Sequence, residues 1–425
     1  MQPEIIPDER IAEFCCSGMP GDVLPVDIAG AKAIAAAVPV NEVERLPLIE
    51  ASGRISASDI ASAISLPLFD NSAMDGYAVR TRDFTESGPW RFFVSGRIPA
   101  GDGSGRRFPP ASAVRIFTGA PLPAGFDAVV MQENCQRSDD TVTFAAKPTS
   151  GQNNRRGGED VSAGSTTVAA GSLLTPGRIA LLAATGVGDV EAWRRMRVAL
   201  ISTGSELREP GRKLGPGQIY NSNRYFLRSA LAYPWAEIAD YGIVGDDPET
   251  IRAVVRDAAR VCDVVITTGG VSVGEEDHMM DVLRRENAEL EVLKVSMRPG
   301  KPVTVGTIGN ALFFGLPGNP YAAAVTFSRI ALPAIKATAG LSDVATSWMP
   351  AVSGFSYRRK PGRTEYVPVT WARRDTDGKP VVEMLGRGSS ASLNPMASAR
   401  ATAVLPPDMA SIEPGMPLRI EPFCE

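Results

Sequence analysis

Between about residues 196 and 340 the chain alternates strand-like and helix-like segments, and few folds accommodate that alternation. RVALIST reads as a strand and YNSNRYFLRSALA as a helix. AEIADYGIV is a second strand, and DDPETIRAVVRDAARVC a helix opened by Asp and Pro. DVVITTGG is continuous in apolar residues, as a fully buried strand is, and a helix over HMMDVLRREN and the strand LEVLKVSM follow. This spacing predicts a parallel sheet covered by helices on both faces.

The flanking segments have other patterns. Residues 26–39 form an Ala-rich helix ended by Pro39, and 176–185 a second helix with Thr175 as N-cap and Pro176 in its first turn. Residues 45–150 carry short β-rich runs (WRFFVSG, AVRIFTG, DAVVMQE, VTFAA) between Gly and Pro clusters, which predicts a small β-barrel or sandwich. After Gly340 the segments TEYVPVTWARR, KPVVEML, ATAVLPP and PLRIEPF predict a small C-terminal β-domain.

Composition narrows the chemistry. One histidine, His278, means that no two-histidine zinc site can form within the chain. Acid–base work then falls to carboxylates and lysines, while His278, directly after Asp277, is left open between packing and function. The five cysteines are odd in number and contain no C-x-x-C pair, which argues against a zinc ribbon or a disulfide framework and for reduced thiols in the cytoplasm. The N-terminus lacks the basic and apolar regions of a signal peptide, and no run of about 18 apolar residues predicts a membrane span. A net charge of −4 gives no overall case for nucleic acid or an anionic membrane as partner.

In an open parallel sheet, ligands bind beyond the carboxyl ends of the strands. Glu206, Asp246 and Asp277 follow three such ends and would gather carboxylates on one rim, a donor set for a hard cation such as Mg²⁺ beside phosphates. The loop Thr267–Gly274, with Gly269, Gly270, Ser272 and Gly274, allows close backbone approach and an anion-binding nest. It is neither a Walker A loop nor a G-x-G-x-x-G fingerprint. Lys294, Arg298 and Lys301 form a cationic turn suited to an oxyanion. In GLPGNP, Gly318 and Asn319 precede Pro320; Asn319 is placed to cap a helix, leaving free N–H groups at the same rim. The string FDNSAMDGYAVR (69–80) is richer in polar residues than a surface hairpin needs and suggests a ligand or subunit contact.

FDNSAMDGYAVR, RIFTGAP, GED (158–160), STGSEL, TTGGVSVGEED, RPGKP and GLPGNP occur in the order found in molybdopterin molybdenumtransferases. The chain thus resembles the MoeA family, to which the gephyrin E domain and the plant Cnx1 E domain are similar, from about residue 20 to its end. The resemblance implies a multidomain α/β plus β fold. It has a discontinuous, elongated N-terminal domain (20–44 and 156–195) and an inserted β-rich domain (45–155). A parallel α/β molybdopterin-binding domain (196–340) and a C-terminal β-barrel (341–425) follow. It implies a homodimer with the active site shared between subunits.

The implied reaction inserts molybdenum from molybdate into adenylylated molybdopterin, releases AMP and needs Mg²⁺; the upstream molybdopterin adenylyltransferase becomes a partner. By motif, Asp75, Thr118 and Asp160 join Glu206, Asp246, Asp277, Lys294 and Arg298 as catalytic residues. Ser272 would hold the pterin phosphate, and Arg363 and Ser389 would complete the oxyanion pocket around Lys301. The chain departs from common family forms at Ser205, at Arg298 (Lys in several members) and at Ala322 (Ser). The departures admit tungstate in place of molybdate. The alternatives are a scaffold or partner-binding paralogue with weak activity, and the adenylyltransferase itself, a single shorter domain.

Overall fold

The computed structural model describes residues 23–103, 105–269, 278–300 and 302–422. At its centre is a six-stranded sheet built from β1 (Met196–Thr203), β2 (Ala236–Val244), β3 (Val264–Thr268), β4 (Glu289–Leu293), β5 (Val303–Ile308) and β6 (Ala311–Leu316), in the order β2-β1-β3-β6-β5-β4. The first four neighbours are parallel, as the sequence predicts. The sheet is mixed, however: β5 pairs antiparallel with both β6 and β4. Only Gly309 and Asn310 separate β5 from β6, and a parallel return needs a crossover of about a dozen residues or more.

Side-chain alternation along the strands sorts them between two cores. Val198, Leu200, Val264, Ile266, Leu312 and Phe314 face one way, against α1 (Ser222–Ala230) and the N-terminal helix Val26–Ala35. Ala199, Ile201, Val265 and Phe313 face the other, against α2 (Pro248–Val261) and α3 (His278–Arg285). Each large apolar side chain so buried contributes about 1.5–3 kcal/mol relative to exposure. Asp247 caps α2, its carboxylate accepting from the Thr250 N–H (2.8 Å) and hydroxyl (2.7 Å). After β6 come α4 (Pro320–Thr326) and α5 (Leu332–Thr338), joined by a π-helical turn at Phe327–Ala331. Pro333 explains the turn: it has no N–H, and its ring crowds the carbonyl four residues back.

Beyond Gly340, β7 (Met349–Ser353), β8 (Thr364–Arg374), β9 (Pro380–Met384), β10 (Ala401–Leu405) and β11 (Pro417–Pro422) close into a barrel in the order β8-β9-β7-β11-β10, with β10 returning to β8. Val367, Val369, Ala401, Ala403 and Leu405 fill it from alternate positions.

The N-terminal region runs out and back. Val43–Pro47 pairs with Asp189–Trp193, Ile60–Ala61 with Thr166–Val168, and Asn71–Ser72 with Asn154–Arg155, all antiparallel. At its far end a second six-stranded sheet spans Gly76–Phe144. Its strands are apolar on both faces, with Tyr77, Val79 and Val130 on one and Ala78, Val114 and Val129 on the other. The pairing is that of a single sheet, without a pair between its first and last strands. The Thr175 hydroxyl caps the helix Pro176–Ala184, as predicted. Arg194 fastens this region to the base of the central sheet: two N–H groups reach the Asp263 carboxylate at 2.7 and 2.8 Å, and Glu42 lies 3.1 Å from its Nε.

Candidate functional site

The carboxyl ends of β1, β2, β3 and β6 lie level, since Thr203 pairs with Val244, Ser202 with Thr268, and Thr268 with Leu316. The segments that leave them therefore share one rim: Gly204–Glu206, Gly245–Asp247, Gly269 onward, and Pro317–Asn319. Glu206 and Asp246 are exposed, and neither makes an ion pair or side-chain hydrogen bond with a described residue. Gly269 has φ +83°, and a Cβ there would stand 2.5 Å from the Thr203 carbonyl oxygen; only glycine allows that approach. Gly270, Ser272, Gly274, Asp277 and Lys301, all predicted for the site, lie outside the described residues, as does the side chain of His278.

Sequence reasoning missed three polar atoms at this rim. The hydroxyls of Thr203 and Thr267 and the side-chain amide nitrogen of Asn221 are buried and have no hydrogen-bond partner among the described residues. The threonines are strand-end residues. Asn221 caps α1, and its neighbour Asn223 donates to the Gly318 carbonyl at 2.7 Å. Buried polar groups are nearly always satisfied, so the three at this rim, among several orphans spread over the described residues, are available to a polar ligand. Apolar strands ending in Thr were the available signal.

The cationic turn lies at the same edge, because β4 runs parallel to β6 in direction and the chain turns back into β5. Lys294 is exposed just past β4. Met297–Arg298 leaves the central sheet and pairs in parallel with Thr364–Glu365 at the start of β8, so that Arg298 meets the barrel. Arg363 is exposed beside that pairing.

The expectation for Asn319 needs correction. It occupies the cap position of α4, but its side chain does not cap; its Nδ2 donates to the Ser390 hydroxyl at 3.2 Å. Nor are the first amides of α4 free, since the Tyr321 and Ala322 N–H groups both donate to the Ser390 carbonyl, at 2.9 and 3.3 Å. A chain segment distant in sequence supplies the partner that a local reading assigns to Asn319. Ser389, the predicted residue, is exposed beside it.

Asp75 and Thr118 come together at the tip of the N-terminal region. Asp75 Oδ1 accepts from the Thr118 N–H at 2.9 Å and its hydroxyl at 2.8 Å, which holds the carboxyl below its ordinary range. Asp70 ties the same loop to Gly157, whose N–H donates to it at 2.9 Å. Asp160 is exposed, its N–H bonded to Leu66 O at 3.0 Å. No hydrogen bond or ion pair joins these three predicted residues to the rim among the described residues.

Three family models cover the chain in succession: the MoeA N-terminal region (domain I and II) over residues 24–186, a probable molybdopterin binding domain over 199–337, and the MoeA C-terminal region (domain IV) over 350–423. A molybdopterin molybdenumtransferase of Haemophilus influenzae is 37% identical over 385 residues, 90% of this chain and 94% of that protein. The chain belongs to the MoeA family. One from Nostoc sp. is 40% identical over 73% of this chain and 72% of its own. The crystal structure of a molybdopterin biosynthesis MoeA protein from Pyrococcus horikoshii OT3 superposes with a TM-score of 0.81 at 25% identity, covering 95% of this chain and 100% of that one.

Membership makes this MoeA chain a transferase of molybdenum cofactor biosynthesis. Among its described residues no three His, Cys, Asp or Glu side chains gather as a metal site. The exposed carboxylates of Glu206 and Asp246, unpaired among the described residues, nonetheless fit Mg²⁺, which is commonly held by one or two carboxylates and completed by substrate phosphates and water. No described helix is long and apolar enough to cross a membrane.

Proposed function

We propose that the chain inserts molybdenum from molybdate into adenylylated molybdopterin with release of AMP, acting in the cytoplasm as a homodimer that receives its substrate from an upstream adenylyltransferase. What supports the reading is that Glu206 and Asp246, without an ion pair among the described residues, Gly269 beside the Thr203 carbonyl, and the turn of Lys294 and Arg298 that meets the barrel all follow strand ends at one rim. A substrate that combines a phosphate anhydride with a metal oxyanion needs all three. The glycine loop and the Thr203 and Thr267 hydroxyls would receive the pterin and its phosphate. Lys294, Arg298 and Lys301, with Arg363 and Ser389, would offset the charge of molybdate and of the departing AMP.

Glu206 and Asp246, with Asp277, would hold Mg²⁺, which when bound offsets negative charge on the anhydride oxygens. Catalysis then rests on donors fixed in advance for developing charge rather than on a covalent nucleophile. Asp75, Thr118 and Asp160 would act on the rim of the second subunit. Support for that arrangement comes from the exposed Leu68, Phe69 and Met74 beside Asp75, and from the exposed Ile219 and Tyr220 just before α1.

The test supplies purified protein with adenylylated molybdopterin, molybdate and Mg²⁺, and follows AMP by chromatography and active cofactor by reconstitution of an apo-molybdoenzyme. Absence of AMP release overturns the reaction. Parallel assays with tungstate settle the metal preference. A 45.0 kDa particle in light scattering at micromolar concentration overturns the shared site.

A further inference from the structure

Glu365 is a charged residue only 2% exposed, at the place where the α/β domain meets the barrel. Its Oε1 accepts from the Tyr357 hydroxyl at 2.9 Å and lies 3.3 Å from Arg298 Nη1. Its Oε2 lies 2.9 Å from Nε of Arg359, whose side chain is also buried. Arg359 is immobilised in turn: its Nη1 donates to the carbonyls of Pro406 (2.6 Å) and Met409 (3.0 Å), and its Nη2 to that of Arg363. The backbones are joined as well. Arg298 pairs with Glu365 in register, the Thr364 N–H donates to Ser296 O at 3.0 Å, and the Ser296 hydroxyl donates to Gly362 O at 3.0 Å.

Burying a carboxylate is costly, and a buried ion pair is on average no more stabilising than well-packed apolar side chains. Stability is therefore a weak reason for Glu365 to be acidic. Direction is a better one. Arg298 is 48% exposed on a long, flexible stem, yet its Nη1 stands at ion-pair distance from an immobile carboxylate. A guanidinium is a rigid fork of five donors, so fixing one edge aims the others. Two guanidiniums share one carboxylate, which leaves a net positive charge on the half-exposed partner, Arg298.

We propose that Glu365 is a positioning residue that aims Arg298 at the tetrahedral oxyanion substrate. The inference rests on the reading of Arg298 as an oxyanion contact. Glu365 touches neither substrate nor reacting atoms; it acts through Arg298.

The test measures binding of molybdate alone to the full-length protein by equilibrium dialysis with elemental analysis, and steady-state AMP release, for Glu365→Gln, Tyr357→Phe, Arg298→Ala and the Glu365→Gln/Arg298→Ala double variant. Glu365→Gln should weaken molybdate binding about tenfold, as expected for loss of the buried charge that faces Arg298, while KM for adenylylated molybdopterin stays unchanged. Tyr357→Phe keeps the charge but frees Oε1, and should weaken molybdate binding about two- to threefold. The double variant should bind molybdate no worse than Arg298→Ala alone. Weakened binding in Arg298→Ala with wild-type binding in a folded Glu365→Gln overturns the positioning role and leaves the reading of Arg298 intact. Wild-type binding in Arg298→Ala removes that reading and the proposal with it. If Glu365→Gln does not fold, unaltered molybdate binding in Tyr357→Phe overturns the proposal.

Discussion

Thr118 donates twice to a single oxygen of Asp75, from its backbone N–H at 2.9 Å and from its hydroxyl at 2.8 Å. Both bonds favour the charged form, and together they hold the Asp75 carboxyl below its ordinary 3.8. Thr118→Val removes the hydroxyl and keeps the amide, so the carboxyl should titrate higher than in the wild type. Thr118→Ser should retain the wild-type value. Carbon-13 NMR of the aspartate carboxyls reads this directly. If Asp75 acts ionised, the acid limb of the pH–rate profile moves upward with it in Thr118→Val.

Glu206 and Asp246 leave the ends of adjacent parallel strands and make no ion pair or side-chain hydrogen bond among the described residues. Glu206→Gln and Asp246→Asn should each raise the Mg²⁺ concentration for half-maximal AMP release by about tenfold or more. Neither should change the thermal midpoint appreciably, since neither removes an ion pair or side-chain hydrogen bond among the described residues. Magnesium titration of the two variants, with melting curves alongside, checks both statements. Removing Mg²⁺ with a chelator should abolish AMP release in the wild type.

Glu286 staples α3 to α2. Its oxygens lie 2.5 Å from Arg252 Nε and 2.9 and 3.0 Å from Arg256 Nη2 and Nε, and hydrogen bonds from Arg256 first, then Arg252, pull its pKa down to about 2. A depressed carboxyl contributes stability that is fully present above its unfolded value, near 4.5, and lost as pH falls toward 2. Glu286→Gln should cost about 1–2 kcal/mol at pH 7, because the pair is partly screened by solvent. The gap from wild type should close between pH 4.5 and 2 in denaturant titrations.

Gly269→Ala combines a left-handed φ with a Cβ set 2.5 Å from a backbone oxygen, and a backbone atom cannot step aside as a flexible side chain does. The substitution should cost about 2–3 kcal/mol and displace the loop that begins there. Loss of substrate binding should exceed what the unfolded fraction explains. Binding measured well below the melting temperature separates the two effects.

Much of the central domain was legible because its signals are local. Apolar continuity marked β3, Asp247-Pro248 opened α2, and the glycines and acids after the strands located the rim. Contacts between distant segments were not legible. The sequence near Asn319 contains a complete cap, and only the fold brings Ser390 to occupy the amides that cap would serve. Arg298 reads as one of three cations in a turn; its hold on Glu365, in another domain, follows from a strand pairing that no periodicity announces. The hairpin of β5 and β6 lay in plain view at Gly309-Asn310, but a pattern otherwise made of crossovers concealed it. Asp75 and Thr118 were each named by motif, and the bond between them became visible only in the fold.

The out-and-back course of the N-terminal region has a mechanical consequence. Asn71–Ser72 and Asn154–Arg155 lie side by side, so the sheet carrying Asp75 and Thr118 hangs on a double strand. A single-stranded tether would let that sheet swivel freely. A paired ribbon resists torsion and yields most easily by flexing across its thin dimension. A tether of this kind narrows the directions in which Asp75 can be displaced relative to the rest of the chain, and a narrower range favours return to the same target.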